Sequence, residues 1–419
     1  MAQMGWVGGP LVMIFFSAVT LYMSELLADC YRCGDPISGK RNHTYIEAVQ
    51  SILGKGGYYD IFCGICQYAN LYGTAIGYTI AGSISMMAIK RSNCFHSSGG
   101  KNPCHISSNP YIIAFGIIEV VLSQIPDFHT MEWLSIVAAI MSFAYSIIGL
   151  GLGIAKVAEN GTFKGSLTGV PIGTVTVAQK TWGVFQGLGN IAFAYAYSQI
   201  LLEIQDTIKS PPSEATTMKK ANQISMGVTA TFYMLCGFMG YAAFGDTAPG
   251  NLLTGFGFYN PYWLVDIGNA AIAIHLVGAY QAYVQPIFAE IEKRAAKRWS
   301  IVDMNYKIQI LGFSPYKLSP FRLVWRTLFV ITTTFLAMLL PFFNDILGLI
   351  GALSFWPSTV FFPVQMSIKQ KRIPQWSGRW IAMQVVSVVS IIVSLAAAIG
   401  SIASIALDLK QFKPFSADY

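Results

Sequence analysis

The chain has 419 residues, of which 54% are apolar and 11% charged, with a formal net charge of +7. A soluble domain carries roughly 25% charged residues, so this composition excludes an ordinary cytosolic enzyme, a disordered chain and a disulfide-rich secreted module. An integral membrane protein remains, with its positive charge expected in loops rather than on a nucleic-acid surface.

A membrane helix needs about 20 mostly apolar residues. Such runs fall at residues 1–24, 61–89, 102–126 (broken only by Glu119), 133–155, 181–202, 221–245, 267–289 (which holds His275), 327–343, 346–368 and 380–407. They are too long for barrel strands, and helices and closed barrels alone satisfy the backbone in lipid. The pattern predicts an all-α membrane protein of about ten transmembrane helices, folded as a single polytopic domain over 1–419. The loops after the odd-numbered runs hold 19 of the 27 Lys and Arg residues, which places them in the cytoplasm and the C-terminus outside. The basic loop 290–326 is expected near anionic lipid heads. This topology starts the first run from the outer side without a signal peptide, so one earlier span is expected that the chain lacks.

The outer loops carry two further expectations. Cys94 and Cys104 could close a short disulfide loop in an oxidising compartment, and Asn160-Gly161-Thr162 is a glycosylation sequon. The sequon at Asn42 lies on the cytoplasmic side and is expected unmodified. Cys30 and Cys33 stand alone, short of the four ligands of a structural zinc site, so no metal is expected.

A receptor or anchor needs only apolar helices, whereas a transporter needs spans that are broken or polar at mid-depth. In the fifth run, Gly183, Gly187 and Gly189 weaken the helix, and small or hydroxylated residues follow up to Ser198. An interruption between about Gly189 and Ser198 is predicted; close helix packing through small residues is the alternative. The second run is polar at Gln67, Asn70, Tyr72, Thr74, Tyr78 and Thr79, which reads either as a substrate-facing wall or as interhelical hydrogen bonding. Pro357 and Pro363 are expected to kink the ninth run. Ionisable groups at membrane depth are functional candidates, and Glu119 and His275 are the two proton-handling candidates. Glu119 is expected to face protein, because lipid exposure costs several kcal/mol or forces protonation. Asp266, Glu25 and Glu203 lie nearer the ends of runs.

The stretches Leu201-Leu202-Glu203-Ile204-Gln205-Asp206-Thr207-Ile208-Lys209-Ser210-Pro211-Pro212 and Gly245-Asp246-Thr247-Ala248-Pro249-Gly250-Asn251-Leu252-Leu253 resemble the plant amino acid permeases of the amino acid/auxin permease family. So do Pro341-Phe342-Phe343-Asn344-Asp345 and Lys413-Pro414-Phe415. The resemblance implies proton-coupled import of amino acids across the plasma membrane. The proton gradient is the driving force, no cofactor is needed, and amino acids, protons and lipid are the partners. It also implies the inverted-repeat fold of the bacterial leucine transporter with the first helix missing. On that reading residues 1–157 form an incomplete first repeat, 181–368 the second repeat, and 380–407 an extra C-terminal helix. The fifth run then resembles a broken, substrate-holding helix, which assigns substrate contact to Ala192, Phe193, Ala194, Tyr195 and Ser198, with Asn70 and Tyr72 as weaker candidates. Lack of one of two broken helices raises the alternative of a truncated isoform that transports poorly or not at all. A membrane enzyme is not expected, because His275 has no acidic neighbour in sequence.

Overall fold

The computed structural model describes residues 1–35, 37–101, 104–125, 132–257, 261–299, 306–308, 316–340 and 342–411. The helices are α1 (Gly5–Asp29), α2 (Tyr45–Leu53), α3 (Tyr58–Ser97), α4 (Asn109–Leu122), α5 (Glu132–Asn160), α6 (Val177–Ala194), α7 (Ser198–Gln205), α8 (Glu214–Phe244), α9 (Leu252–Phe256), α10 (Tyr262–Ala296), α11 (Pro320–Leu339), α12 (Phe343–Ser354), α13 (Phe362–Gln370) and α14 (Gly378–Gln411). Two short antiparallel pairs accompany them: β1 (Arg32–Cys33) with β2 (Lys40–Arg41), and β3 (Tyr306–Ile308) with β4 (Tyr316–Leu318).

Each of the ten apolar runs meets a helix. Seven helical stretches are long and apolar enough to cross a membrane: α1, α5, α8, α10, α11, α12 through α13, and α14. The other three runs fall on α3, α4 and the α6–α7 pair. The α3 helix is diluted by its polar residues, α4 has 14 described residues, and α6–α7 is interrupted. The ends of the third run, at 102–103 and 126, lie outside the described residues, as does 412–419 with the Lys413 motif. The eighth run differs from expectation. Its helix starts at Pro320, ahead of residue 327, because Ser319 accepts from the Arg322 backbone N–H as an N-cap and proline suits the first turn. Arg326 is thereby inside the helix, where its charge is paired.

The chain forms two compact units, each drawn from separated stretches of sequence. The first takes Met1–Gly73, Ser146–Phe256 and Phe342–Gln411. Within it α6, α12 and α14 pack closely through glycine. A Cβ on Gly189 would strike the Gly348 carbonyl oxygen, and one on Gly400 would lie 2.8 Å from the Gln186 backbone nitrogen. The α1 helix lies along α8 and α13. One apolar core joins Leu27, Tyr45, Cys63, Leu201 and Phe362. A second joins Phe16, Met23, Ala192, Tyr195, Phe355 and Val364.

The ninth run stays helical from Phe343 to Gln370 but widens to a π-helix over Phe355–Phe361. The expected proline effect thus takes the form of a widened turn around Pro357. A proline ring clashes with the carbonyl four residues back in α geometry. The wider turn carries Pro357 within the π segment, and Pro363 then falls in the first turn of α13. Tyr45 Oη donates to the Ser358 carbonyl at 2.6 Å, taking up one group that the altered ladder leaves.

The second unit takes Thr74–Tyr145 and Gly257–Pro341 among its described parts. Its helices α4, α10 and α11 pack through Phe115, Tyr280, Phe288 and Phe329. Small residues again set the spacing: a Cβ on Gly82 would meet the Phe115 ring 2.6 Å away at Cδ2, and one on Gly278 the Ala138 methyl at 2.8 Å. Cys94 and Cys104 are joined by a disulfide with their Cα atoms 6.2 Å apart.

Candidate functional site

A group of buried polar side chains in the first unit lies where α6 ends. Thr176 opens α6 with a capping box, its hydroxyl accepting from the Gln179 N–H while the Gln179 side chain returns to the Thr176 N–H. The helix then runs unbroken past Gly183, Gly187 and Gly189 to Ala194. These glycines serve close packing, against Gln3, Met4 and Gly348, and the break lies beyond them at Tyr195-Ala196-Tyr197. The ladder restarts at Ser198 as α7. Tyr195 and Tyr197 both have ψ near zero, outside the helical well. Tyr233 Oη on α8 donates to the freed Ala194 carbonyl at 3.3 Å, and the two tyrosine rings lie 5.5 Å apart.

The sequence-assigned substrate residues bracket this break. Ala192, Tyr195 and Ser198 are buried, Phe193 is half-buried and Ala194 is exposed. Ser198 Oγ has no hydrogen-bond partner among the described residues, and neither side-chain atom of Gln199 has one. The α3 helix reaches the same place, since Gln67 Nε2 donates to the Gln199 carbonyl at 3.0 Å. Asn70, one turn along α3, is buried with both amide atoms lacking a partner among the described residues. Tyr72 is half-buried and lies about 200° around the helix from Asn70, so the two cannot both face the break. Buried polar groups are nearly always bonded; Asn70, Ser198, Gln199 and Tyr195 Oη are buried polar groups around the break with no side-chain partner among the described residues.

The proton-handling candidates both lie in the second unit. Glu119 is fully buried on α4, and its Oε2 accepts from Gln281 Nε2 on α10 at 2.6 Å. It therefore faces protein, as its place in an apolar run led us to expect. His275 Nδ1 is 2.8 Å from the Ala138 carbonyl and its ring lies 5.5 Å from Tyr145. No hydrogen bond joins the two candidates. Sequence reasoning misses Gln281, although a glutamine inside the apolar run 267–289 is a usable signal.

Charged groups gather around the segment between α1 and α2. Glu214, buried at the start of α8, takes a two-pronged contact from Arg32 (2.7 and 3.1 Å) and a third from Arg41 at 3.0 Å. Asp206, just past α7, accepts from Tyr31 Oη at 2.6 Å and lies 2.8 Å from His43 Nδ1. Burial and then the Asp206 carboxylate push the Tyr31 phenol up, while Glu214 holds the Arg32 guanidinium above its ordinary value. Asn42 is buried, its amide donating to the Cys30 carbonyl, which suits an unmodified sequon. Asn160 Nδ2 donates to the Ala243 carbonyl at 3.0 Å. No cluster of metal-ligating side chains occurs among the described residues.

A model of the family described as transmembrane amino acid transporter protein matches residues 1–407. The chain belongs to this family. It is 63% identical to amino acid permease 2 of Arabidopsis thaliana over all of this chain and 85% of that one. It is 64% identical to amino acid permease 3 of the same plant over all of this chain and 88% of the relative. The solved structure of MhsT in complex with L-phenylalanine superposes with a TM-score of 0.56 at 12% identity, covering 95% of this chain and 92% of that one. That likeness shows the fold, the helical inverted-repeat architecture of the bacterial leucine transporter. The permease is thus an integral membrane protein and a transporter rather than an enzyme.

Proposed function

We propose that this permease imports amino acids across the plasma membrane in company with protons, binding the amino acid at the α6–α7 break. The observation that carries the proposal is the interruption at Tyr195–Tyr197, with the side chains of Asn70, Ser198 and Gln199 buried near it and lacking partners among the described residues. An amino acid carries a carboxylate and an ammonium group, and each must find partners where water is scarce. Freed backbone amides suit the first and freed carbonyls the second, and lipid can supply neither. Ala192, Phe193, Ala194, Tyr195 and Ser198 supply the wall and its backbone groups, and Asn70 adds an amide from α3. Tyr72 stays the weaker candidate, about 200° around α3 from Asn70. Glu119 and His275 are the proton-handling groups we assign to the second unit, with Glu119 first because it is an acid sealed from solvent. Asn160 is proposed as the glycan site. Its Nδ2 keeps one hydrogen after modification, enough to retain the Ala243 contact.

The test is uptake of radiolabelled amino acids by a yeast strain deficient in its own permeases, with and without an ionophore that collapses the proton gradient. Uptake that the ionophore abolishes supports the reading. Uptake indifferent to the gradient removes proton coupling, and absence of uptake at normal surface levels removes the transport assignment for this chain.

A further inference from the structure

Among the described residues Glu119 has one side-chain partner, and that partner is an amide. Glu119 and Gln281 are both fully buried. Gln281 Nε2 lies 2.6 Å from Glu119 Oε2 and 3.0 Å from Ser123 Oγ, while Glu119 Oε1 and Gln281 Oε1 have no partner among the described residues. Each member of the pair therefore keeps one oxygen in reserve.

We infer that Gln281 is a positioning residue for a proton carried on Glu119, presenting a donor to the carboxylate and, with its amide turned over, an acceptor to the carboxylic acid. The inference rests on the proton-coupled reading above. A carboxylate only accepts, whereas a protonated carboxyl has one O–H to donate. A lysine or arginine partner would fix the ionised form, and an apolar partner would penalise it. A glutamine offers both roles within one rigid plane, and Ser123 Oγ follows either orientation because a hydroxyl donates or accepts. The proton comes from water on one side and leaves to water on the other, with no bond made or broken beyond the O–H.

The surroundings leave this pair to set the balance. The other ionisable groups on the packed elements are committed elsewhere. His275 on α10 is held by the Ala138 carbonyl, Asp266 is bonded to Asn93, and Glu292 is paired with Arg326 and Arg322 of α11. Lys90, Arg91 and His96 lie toward the C-terminal end of α3, and Glu290, Lys293 and Arg294 toward that of α10, where Arg294 bonds Glu290. The link outward is through Ser123, whose carbonyl accepts from Arg326 Nη1 at 2.7 Å. The pair thereby touches the buried ion pair at the end of α4.

The experiment uses the full chain in oocytes, recording amino-acid-evoked current and uptake across an external pH series for the wild type, Gln281→Leu, Gln281→Asn and Glu119→Gln. Infrared difference spectra on purified protein assign the Glu119 carboxyl band by its loss in Glu119→Gln. Gln281→Leu is expected to move the half-maximal proton concentration by about tenfold and to shift that band. Gln281→Asn, which keeps an amide, is expected to restore the profile in part. If Gln281→Leu fails to reach the surface, the band position in Gln281→Asn decides. A wild-type profile and an unmoved band in the Gln281 variants overturn the inference while leaving proton coupling intact. Absence of any pH dependence or evoked current in the wild type overturns both.

Discussion

Gly351 rests on Gly189: a Cβ on the former would collide with the carbonyl oxygen of the latter and lie 2.6 Å from the Phe193 nitrogen. Here α12 and α6 meet backbone to backbone, one turn before α6 breaks. Replacing Gly351 with valine is expected to cost about 1–3 kcal/mol through overpacking and to push α6 away from its seat. Thermal melting of the detergent-purified protein, followed by size-exclusion chromatography, checks this; an unchanged midpoint would show that the two helices separate without penalty.

Arg326 is nearly fully buried, its guanidinium shared among Glu292 and the carbonyls of Ser123 and Ile125, 4.8 Å from the Phe288 ring. Arg326→Ala leaves Glu292 to Arg322 alone and two carbonyls unpaired, which costs on the order of 3 kcal/mol. The expected result is protein retained inside the cell, with Arg326→Lys recovering only part because lysine cannot reproduce the fork. Surface biotinylation of the two variants reads the difference directly.

Substitutions at the break should act on transport rather than folding. Ser198→Ala and Asn70→Ala each remove polar atoms that bond nothing within the described protein, so neither strands a partner. Surface levels are expected to hold, while the KM for a neutral amino acid rises about tenfold to a hundredfold, the worth of one hydrogen bond to a charged group. Uptake kinetics normalised to surface protein settle it, and a KM within twofold of wild type in both variants would take these residues out of the site.

The cluster around Glu214 yields a folding prediction outside the transport route. Glu214→Gln weakens contacts with both Arg32 and Arg41. Arg32 is mostly buried, so the loss falls chiefly there, and about 1–3 kcal/mol is expected. Arg41 is nearly half exposed, and Arg41→Ala should change stability by under about 1 kcal/mol. Equal destabilisation by the two changes would contradict this ranking.

Helix existence was legible because lipid makes it so: Trp133, Ile136 and Ile140 on α5 are exposed and their apolarity has no other use. What distinguished the working helices was less legible. The α6–α7 break lies after Ala194, a residue type that favours helix, while the glycines that drew attention at 183, 187 and 189 are packing contacts. Sequence cannot tell a glycine that permits unwinding from one that permits approach, since both need only a missing Cβ. Glu119 stood out because it is alone in its run, but Gln281 is distant in sequence and only packing brings the pair together. The ties of Arg32 and Arg41 to Glu214 were hidden for the same reason.

The π-helix at Phe355–Phe361 also bears on how this stretch changes over generations. A π turn holds one more residue than the α turn it replaces, so every side chain after it is rotated by about 100° relative to an uninterrupted α-helix. Phe362 and Met366 face one apolar core and Val364, about 200° around α13, faces the other, and the offset sets which side chain meets which core. A deletion of one codon between 355 and 361 would restore α geometry without breaking the helix and move all three out of register with their cores in a single step. A gain or loss of one residue here is thus a rotation of α13, and genes encoding this segment should resist length changes more strictly than changes of letter.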